Sequence, residues 1–556
     1  MRFRQVLAVP VLGVLLATGC TGAESTDETN TTPLAATDLN PTARDAMVSG
    51  GELRLAVDEF GSLNPMAAAA NGELARLQQA FLPTFFRYNE QGVASPNTNF
   101  LESATETSAN PTRVTLKLNP RAAWADGETI TAEDVVATWT ACNGRSTGFQ
   151  CSPDLLFNEI AEVSEGANES EVLLEFDSAY PQWRSIFDRV SVLRAESVAD
   201  AETFNGWTQL TREWTAGPFV VEDSEEGEQA IVATPNEEWW GADKPQLARL
   251  TIKEIPRENQ VKAYADAEID AVDIAGSKEF FDAVRTVPEH AIRRAGSQTY
   301  RQLVFNTSSP SGVNVVGVRQ ASAIALARSG VGTAALPGIE FTAAPVGNRI
   351  FLPGQDGYAD NAEALELTRD VGQARKLLND AGWRESDGVR SRDGQRLEIR
   401  LARIQGLAMS ENEAAAITEQ LAQVGVTVAL TDVSLEDFDN GSVLSGGDFD
   451  MIVTGIEGGR YPLADLDDRY GSGAEQNWAR LEEPAIDDLI GRIDAEQDPA
   501  QQRTLANDLD RLLWEQMPTV PLYQLPESIA VGVRLTNYGA PGLASIAWEN
   551  VGFVRG

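Results

Sequence analysis

The chain carries one histidine, His290, in the run Val287-Pro-Glu-His290. Zinc motifs that set two histidines on one helix, and most histidine-based proton relays, therefore lack their parts. His290 is read as an ordinary surface residue. A nucleophile-elbow pattern occurs at Gly144-Arg-Ser-Thr-Gly148, but an elbow needs a buried strand before its serine and a helix after it. Here a helical pattern precedes the serine, and Cys142 and Cys151 bracket it, so the match is read as coincidence. Asp465, Asp467 and Asp468 open like a calcium loop, yet Arg469 holds the fifth position and Tyr470 replaces the sharp-turn glycine. A solvated acidic loop is the expectation there. With 83 acidic residues, counting alone allows a carboxylate pair suited to glycoside hydrolysis, but no local pattern selects one. No phosphate-binding or dinucleotide loop is present either. The expectation is a protein without catalysis, cofactor or metal.

Three cysteines remain. Cys20 ends Leu16-Ala17-Thr18-Gly19-Cys20, directly after the basic Arg2 and Arg4 and an uncharged apolar stretch, Val6 to Ala17. That stretch has the length of a secretory h-region and is too short to stay in a bilayer as a span. The pattern resembles a bacterial lipobox, with Ala17 where leucine is usual. The resemblance implies a signal peptide over 1–19, a lipid on Cys20 and attachment to the cell membrane through that lipid only. Residues 20–50, rich in Thr, Ser, Asp, Glu, Asn and Ala, read as a solvated tether. In an exported protein Cys142 and Cys151, close in the chain, are expected to form a local disulfide, two free thiols being the alternative. The net charge of -39 repels phosphate backbones and anionic lipid surfaces, which disfavours nucleic acid as a partner.

These features need a scaffold, and its periodicity is legible. Glu52-Leu-Arg-Leu-Ala-Val57 and Val114-Thr-Leu-Lys-Leu118 alternate like strands. Thr131-Ala-Glu-Asp134 reads as a capping box opening a helix with Val135, Val136 and Trp139 inward. Further on, Leu397–Leu401 is an alternating strand, Ser410 is the expected cap of a helix bearing Ile417, Leu421 and Val424, and Gly425 can end it left-handed before Val426–Val428. Strand, helix and strand in that order predict parallel pairing with a right-handed crossover. Asp370 is expected to cap a second helix ending at Gly382.

Taken in order, these segments resemble the extracytoplasmic solute-binding proteins for oligopeptides, dipeptides and nickel (family 5). The resemblance rests on Ala123-Trp-Ala-Asp-Gly-Glu-Thr-Ile-Thr-Ala-Glu-Asp-Val135, Thr215-Ala-Gly-Pro-Phe219, Trp239-Trp-Gly241 with Lys244-Pro245, Ala267-Glu-Ile-Asp-Ala271, Phe305-Asn-Thr307, Gly447-Asp-Phe-Asp450 and Val520-Pro-Leu-Tyr523. It implies an α/β bilobal periplasmic-binding-protein-like fold of the large, type II peptide-binding class, with three subdomains and a hinge. The expected division is 51–81, 191–297 and 526–556 for the main part of lobe I, 82–190 for its extra subdomain, and 298–525 for lobe II. Hinge strands are placed near 297 and 525.

Where peptide-binding members carry an aspartate for the peptide's amino terminus, this chain has Gly455-Ile-Glu-Gly-Gly-Arg-Tyr-Pro462, with Gly459 at the aligned position. Glu457 is then the substitute charge, and Arg460 its competitor for an ammonium. Tyr300, Glu457, Arg460, Tyr461, Asn477, Trp478 and Tyr523 are the cleft candidates, since aromatic and amide groups suit solute cages. Two functions follow. The first is capture of a peptide or similar small solute for import through ABC permease subunits. The second rests on Phe81-Leu-Pro-Thr-Phe-Phe86, Asn110-Pro111, Tyr180-Pro-Gln-Trp183 and Phe187, which are similar to an actinobacterial lipoprotein subgroup that includes LpqW. That likeness implies work in phosphatidylinositol mannoside and lipoglycan synthesis, with a mannolipid or an envelope-synthesis enzyme as partner.

Overall fold

The computed structural model describes residues 34–222 and 230–555; the expected leader and Cys20 lie outside them. Alternation in Glu52–Val57 buries Leu53, Leu55 and Val57, and this strand pairs in parallel with Arg249–Glu254. Ala230–Pro235 and Phe219–Val221 complete a four-stranded sheet. Beside it stands a second four-stranded antiparallel sheet, with Leu101–Ala109, Thr112–Leu118, Glu171–Phe176 and Ile160–Glu165 in that order. The helix Ala132–Cys142 packs nearby, opened by the expected reciprocal box of Thr131 and Asp134. Asp134 is buried and takes hydrogen bonds from Thr131 N, Trp124 Nε1 and Ala195 N at 3.0, 3.2 and 2.8 Å. One apolar cluster runs through both sheets, from Leu53 to Phe187 to Leu250, so the two parts of lobe I share a core.

Cys142 and Cys151 are disulfide-bonded, their Cα atoms 5.6 Å apart. The bond closes the loop that holds Gly144–Gly148, and Ser146 Oγ donates to the Thr140 carbonyl at 2.7 Å. That serine follows a helix, without the strand an elbow requires.

Lobe II is built on a six-stranded mixed sheet, in the order Ala271–Asp273, Thr519–Gly532, His290–Phe305, Met451–Glu457, Glu398–Ile404, Thr427–Val433. Glu398–Ile404 and Thr427–Val433 are parallel, joined through the helix Ala408–Ala422. That helix begins earlier than its sequence signal. Ser410 lies inside it, and its hydroxyl accepts from Ile404 N at 2.9 Å, tying helix to strand in place of a cap. Gly425 has φ +80°, the left-handed conformation that ends the helix, and Asp370 caps Val371–Asp380 through Gln373 N at 2.8 Å.

Two long antiparallel strands, His290–Phe305 and Thr519–Gly532, run between the lobes. Their register shifts between Gly296 and Tyr300 and again between Arg301 and Gln302; such irregularities bend strands and re-aim side chains.

Two features depart from the sequence reading. The segment expected as tether up to residue 50 is folded at its end: Met47–Val48 pairs with Gly552–Val554, and Asn537 Oδ1 accepts from Thr42 N at 2.9 Å. Polar composition hid this because side chain and backbone hydrogen bonds, rather than apolar burial, hold most of the segment. The stretch 257–284, expected with lobe I, adds the strand Ala271–Asp273 to the six-stranded sheet and buries Val261, Phe281 and Val284 in the lobe II cluster.

Candidate functional site

Between the lobes lies a cavity of about 310 Å³. The two long strands supply its floor through Gln302, Val304 and Thr519, and lobe II walls it with Ile456, Glu457, Tyr470, Asn477 and Trp478. Lobe I reaches it with Asp154, just beyond the disulfide loop, and Arg189. The lining mixes aromatic and aliphatic surface with a few amides and charges, the composition of a small-solute site.

Of the residues singled out from sequence, Glu457, Asn477 and Trp478 line the cavity. Glu457 is exposed at the mouth. Asn477 is turned to its own loop, its Nδ2 donating to the Gly471 and Leu481 carbonyls, each at 2.9 Å; it shapes the wall. Trp478 is half-buried and offers a flat apolar face.

Tyr300 and Tyr523 do not belong to the cleft. Tyr300 is buried and donates to the Arg349 carbonyl at 2.8 Å, its ring packed with Val346, Leu352 and Ile456. Tyr523 donates to Glu413 Oε1 at 2.7 Å, and Glu413 also holds Arg301 through 2.9 and 2.7 Å bonds. Burial pushes both phenols upward in pKa, so both stay neutral. Aromatic type alone did not separate cage from core. Alternation along the strand does so for Arg301, which faces the sheet side opposite Gln302.

Arg460 and Tyr461 lie beside the cavity and bridge the lobes. Arg460 donates to Leu543 O at 2.8 Å, Ala544 O at 3.2 Å and Asp188 Oδ1 at 3.0 Å, and its guanidinium sits 4.2 Å from the Tyr88 ring centre. The hydroxyls of Tyr461 and Tyr88 are 2.9 Å apart. Nearby, Leu543 packs between Tyr300, Val346, Leu352 and Ile456. The residue expected to compete for a ligand's ammonium is instead satisfied by the opposite lobe.

Gln302, Asp154 and Arg189 escaped the sequence reading, since nothing local marks them and only the meeting of two lobes places them together. Arg469, at the fifth position of the calcium-like acidic run, pairs with Asp465 at 2.6 Å and donates to the Glu457 carbonyl at 2.8 Å. Burial opposes its charge, and the Asp465 carboxylate outweighs that, leaving the Arg469 pKa raised. No cluster of metal-ligating side chains occurs among the described residues.

Residues 95–476 match the model for bacterial extracellular solute-binding proteins, family 5. The chain is a family 5 solute-binding protein. It is 31% identical over 559 residues to the oligopeptide-binding protein OppA of Mycobacterium tuberculosis, covering 99% of this chain and 93% of the relative. In fold, this binding protein is similar to the periplasmic EDTA-binding protein EppA, with a TM-score of 0.78 at 21% identity over 95% of this chain and all of the other. It is similar also to the oligopeptide-binding protein AppA of Bacillus subtilis, solved with a nonapeptide, with a TM-score of 0.66 at 19% identity over 92% of this chain and all of the other. The two-lobed α/β fold with its hinge strands is thus the family's scaffold. Because scaffolds host many ligands, specificity lies in the cavity.

Proposed function

We propose that this binding protein captures a short peptide or peptide-like solute between its lobes and presents it to ABC permease subunits, held at the membrane by a lipid on Cys20. The observation that carries the reading is the cavity of about 310 Å³, lined from both lobes, in a chain 31% identical to an oligopeptide-binding protein across 99% of its length. Such a volume falls at the low end of small-molecule sites, roughly 300–1,000 Å³, which favours a ligand of two or three residues over a long peptide. A ligand that touches both walls binds the closed arrangement better than the open one, and this difference drives closure.

Closure here has internal support as well. Arg460 bonds Asp188 and two lobe I carbonyls, so the protein supplies part of the contact that a ligand would otherwise provide. Titration of the purified protein with tri-alanine, followed by calorimetry, tests the reading. Saturable binding is expected; failure of this peptide and of a mixed short-peptide library to bind would overturn it. For the anchor, labelling with a radioactive fatty acid is expected in the wild type and lost in Cys20→Ala; equal labelling of both would remove the lipid from the proposal.

A further inference from the structure

At one end of the cavity the two lobes meet through the protein's own side chains. Strand Met451–Glu457 brings Glu457 to the cavity mouth. Three residues on, Arg460 crosses to lobe I, donating to Asp188 and to the Leu543 and Ala544 carbonyls. Asp188 directly precedes Arg189, which lines the cavity from the other side. The crossing thus stands at the cavity's rim on both lobes.

Beyond this rim the seam between the lobes is filled. Tyr461 meets Tyr88 edge to face, with ring centres 6.0 Å apart, and Leu543 packs in one cluster with Leu352. Tyr88, Leu352 and Leu543 are all buried, although they lie where one lobe faces the other. Further along, Asp356 N of lobe II donates to the Gln91 carbonyl of lobe I at 3.2 Å. A ligand running out of the cavity along this seam would have to displace buried apolar surface and the three partners of Arg460. Hydrogen bonds from a charged donor are the more costly ones to lose.

We propose that Arg460, assisted by Tyr461, fixes ligand length by closing this end of the cleft, so that peptides of two or three residues are taken and longer ones excluded. This rests on the solute-binding reading above and adds to it the residues that discriminate. Three further residues lengthen an extended peptide by about 10 Å, and the filled seam leaves them no path on this side. A contact that merely favoured the closed form would strengthen short and long peptides by the same factor. A stop changes their ratio.

Calorimetric titration of the full-length protein in detergent with tri-alanine and with hexa-alanine reads that ratio. The wild type is expected to bind tri-alanine at least about tenfold more tightly than hexa-alanine. Arg460→Gly, which removes the side chain from the seam, should move the ratio by about tenfold or more toward hexa-alanine. Asp188→Ala breaks the ion pair but leaves Arg460 held by two carbonyls, and should keep the wild-type ratio. An unchanged ratio in Arg460→Gly would overturn the proposal, as would an equal shift in both variants. So would a wild type that binds hexa-alanine as tightly as tri-alanine or better. Should melting curves show Arg460→Gly unfolded, Tyr461→Ala repeats the measurement with the same expectation. A wild type that binds neither peptide would instead overturn the peptide reading itself, so the two failures are distinct.

Discussion

The Arg460 guanidinium donates to the Asp188 carboxylate at 3.0 Å, joining a loop of lobe II to the extra part of lobe I. Both groups are largely buried, with side-chain exposures of 13% and 29%, and Arg460 also bonds two carbonyls of the C-terminal segment. Charge-assisted bonds of this kind contribute more than neutral ones. Arg460→Ala is therefore expected to loosen the closed form by an amount on the order of 1–2 kcal/mol. Small-angle scattering of the peptide-free protein reads this as a larger radius of gyration. The double variant with Asp188→Ala should add less than the sum of the single effects; strict additivity would show that the pair does not act together.

Tyr523 and Glu413 test the separation of scaffold from cleft. Removing one member of a buried ion pair leaves the other uncompensated, at roughly 3–5 kcal/mol. Glu413→Leu should accordingly destabilise lobe II by about that much in denaturant titrations, because Arg301 loses its partner. Tyr523→Phe removes one hydrogen bond, worth about 1 kcal/mol, and leaves tri-alanine affinity unchanged. A marked loss of affinity in Tyr523→Phe would return this residue to the cleft.

The sequence reading was strongest where one local rule decides a structure. Thr131 and Asp134 form their box, Asp370 caps its helix, and the strands around 400 and 430 pair in parallel because hydrophobic period and turn chemistry are written within a few residues. Ser410 misled, since a serine near a helix start can bond a preceding strand as readily as the helix itself. Of the cleft candidates, Glu457 was placed by likeness to a family motif and Asn477 and Trp478 by side-chain type, and all three line the cavity. Tyr300 and Tyr523 were misplaced because an aromatic beside a hinge packs inward or outward according to partners hundreds of residues away. Gln302 gave no local signal: its place in the cavity lining follows from elements far apart in the chain that meet around it, which no single strand shows.

Glu527 gives a pH dependence. It lies on the second long strand and accepts from Gly542 N at 3.0 Å, in the loop whose next two carbonyls hold Arg460. Burial raises its pKa from 4.5 to about 7, the Asp273 carboxylate adding to the rise and Arg76 opposing it. A carboxyl with a raised folded-state pKa contributes stability that is full below its unfolded value and lost as pH climbs through the folded one. Between pH 5 and 8 the wild type should thus lose stability relative to Glu527→Gln, as unfolding midpoints of the two proteins at both pH values would show. A constant difference across that range would contradict the assignment.

The disulfide between Cys142 and Cys151, nine residues apart, closes the loop that leads to Asp154. By the chain-entropy model a loop of this size gives about 2–3 kcal/mol. Cys142→Ser with Cys151→Ser is expected to lower the denaturant midpoint of lobe I accordingly, and to weaken tri-alanine binding only modestly through a less fixed Asp154. An unchanged midpoint would show that the packing of Leu155 and Phe157 alone holds the loop.

The central claim is that the cavity between the lobes holds a short peptide-like solute. Native mass spectrometry of the purified protein, comparing its folded mass with the mass after unfolding, tests this most directly. The account predicts released species in the mass range of two- and three-residue peptides. A released mannolipid would contradict it and favour the envelope-assembly role, as would a protein that arrives empty and stays empty in a mixture of short peptides.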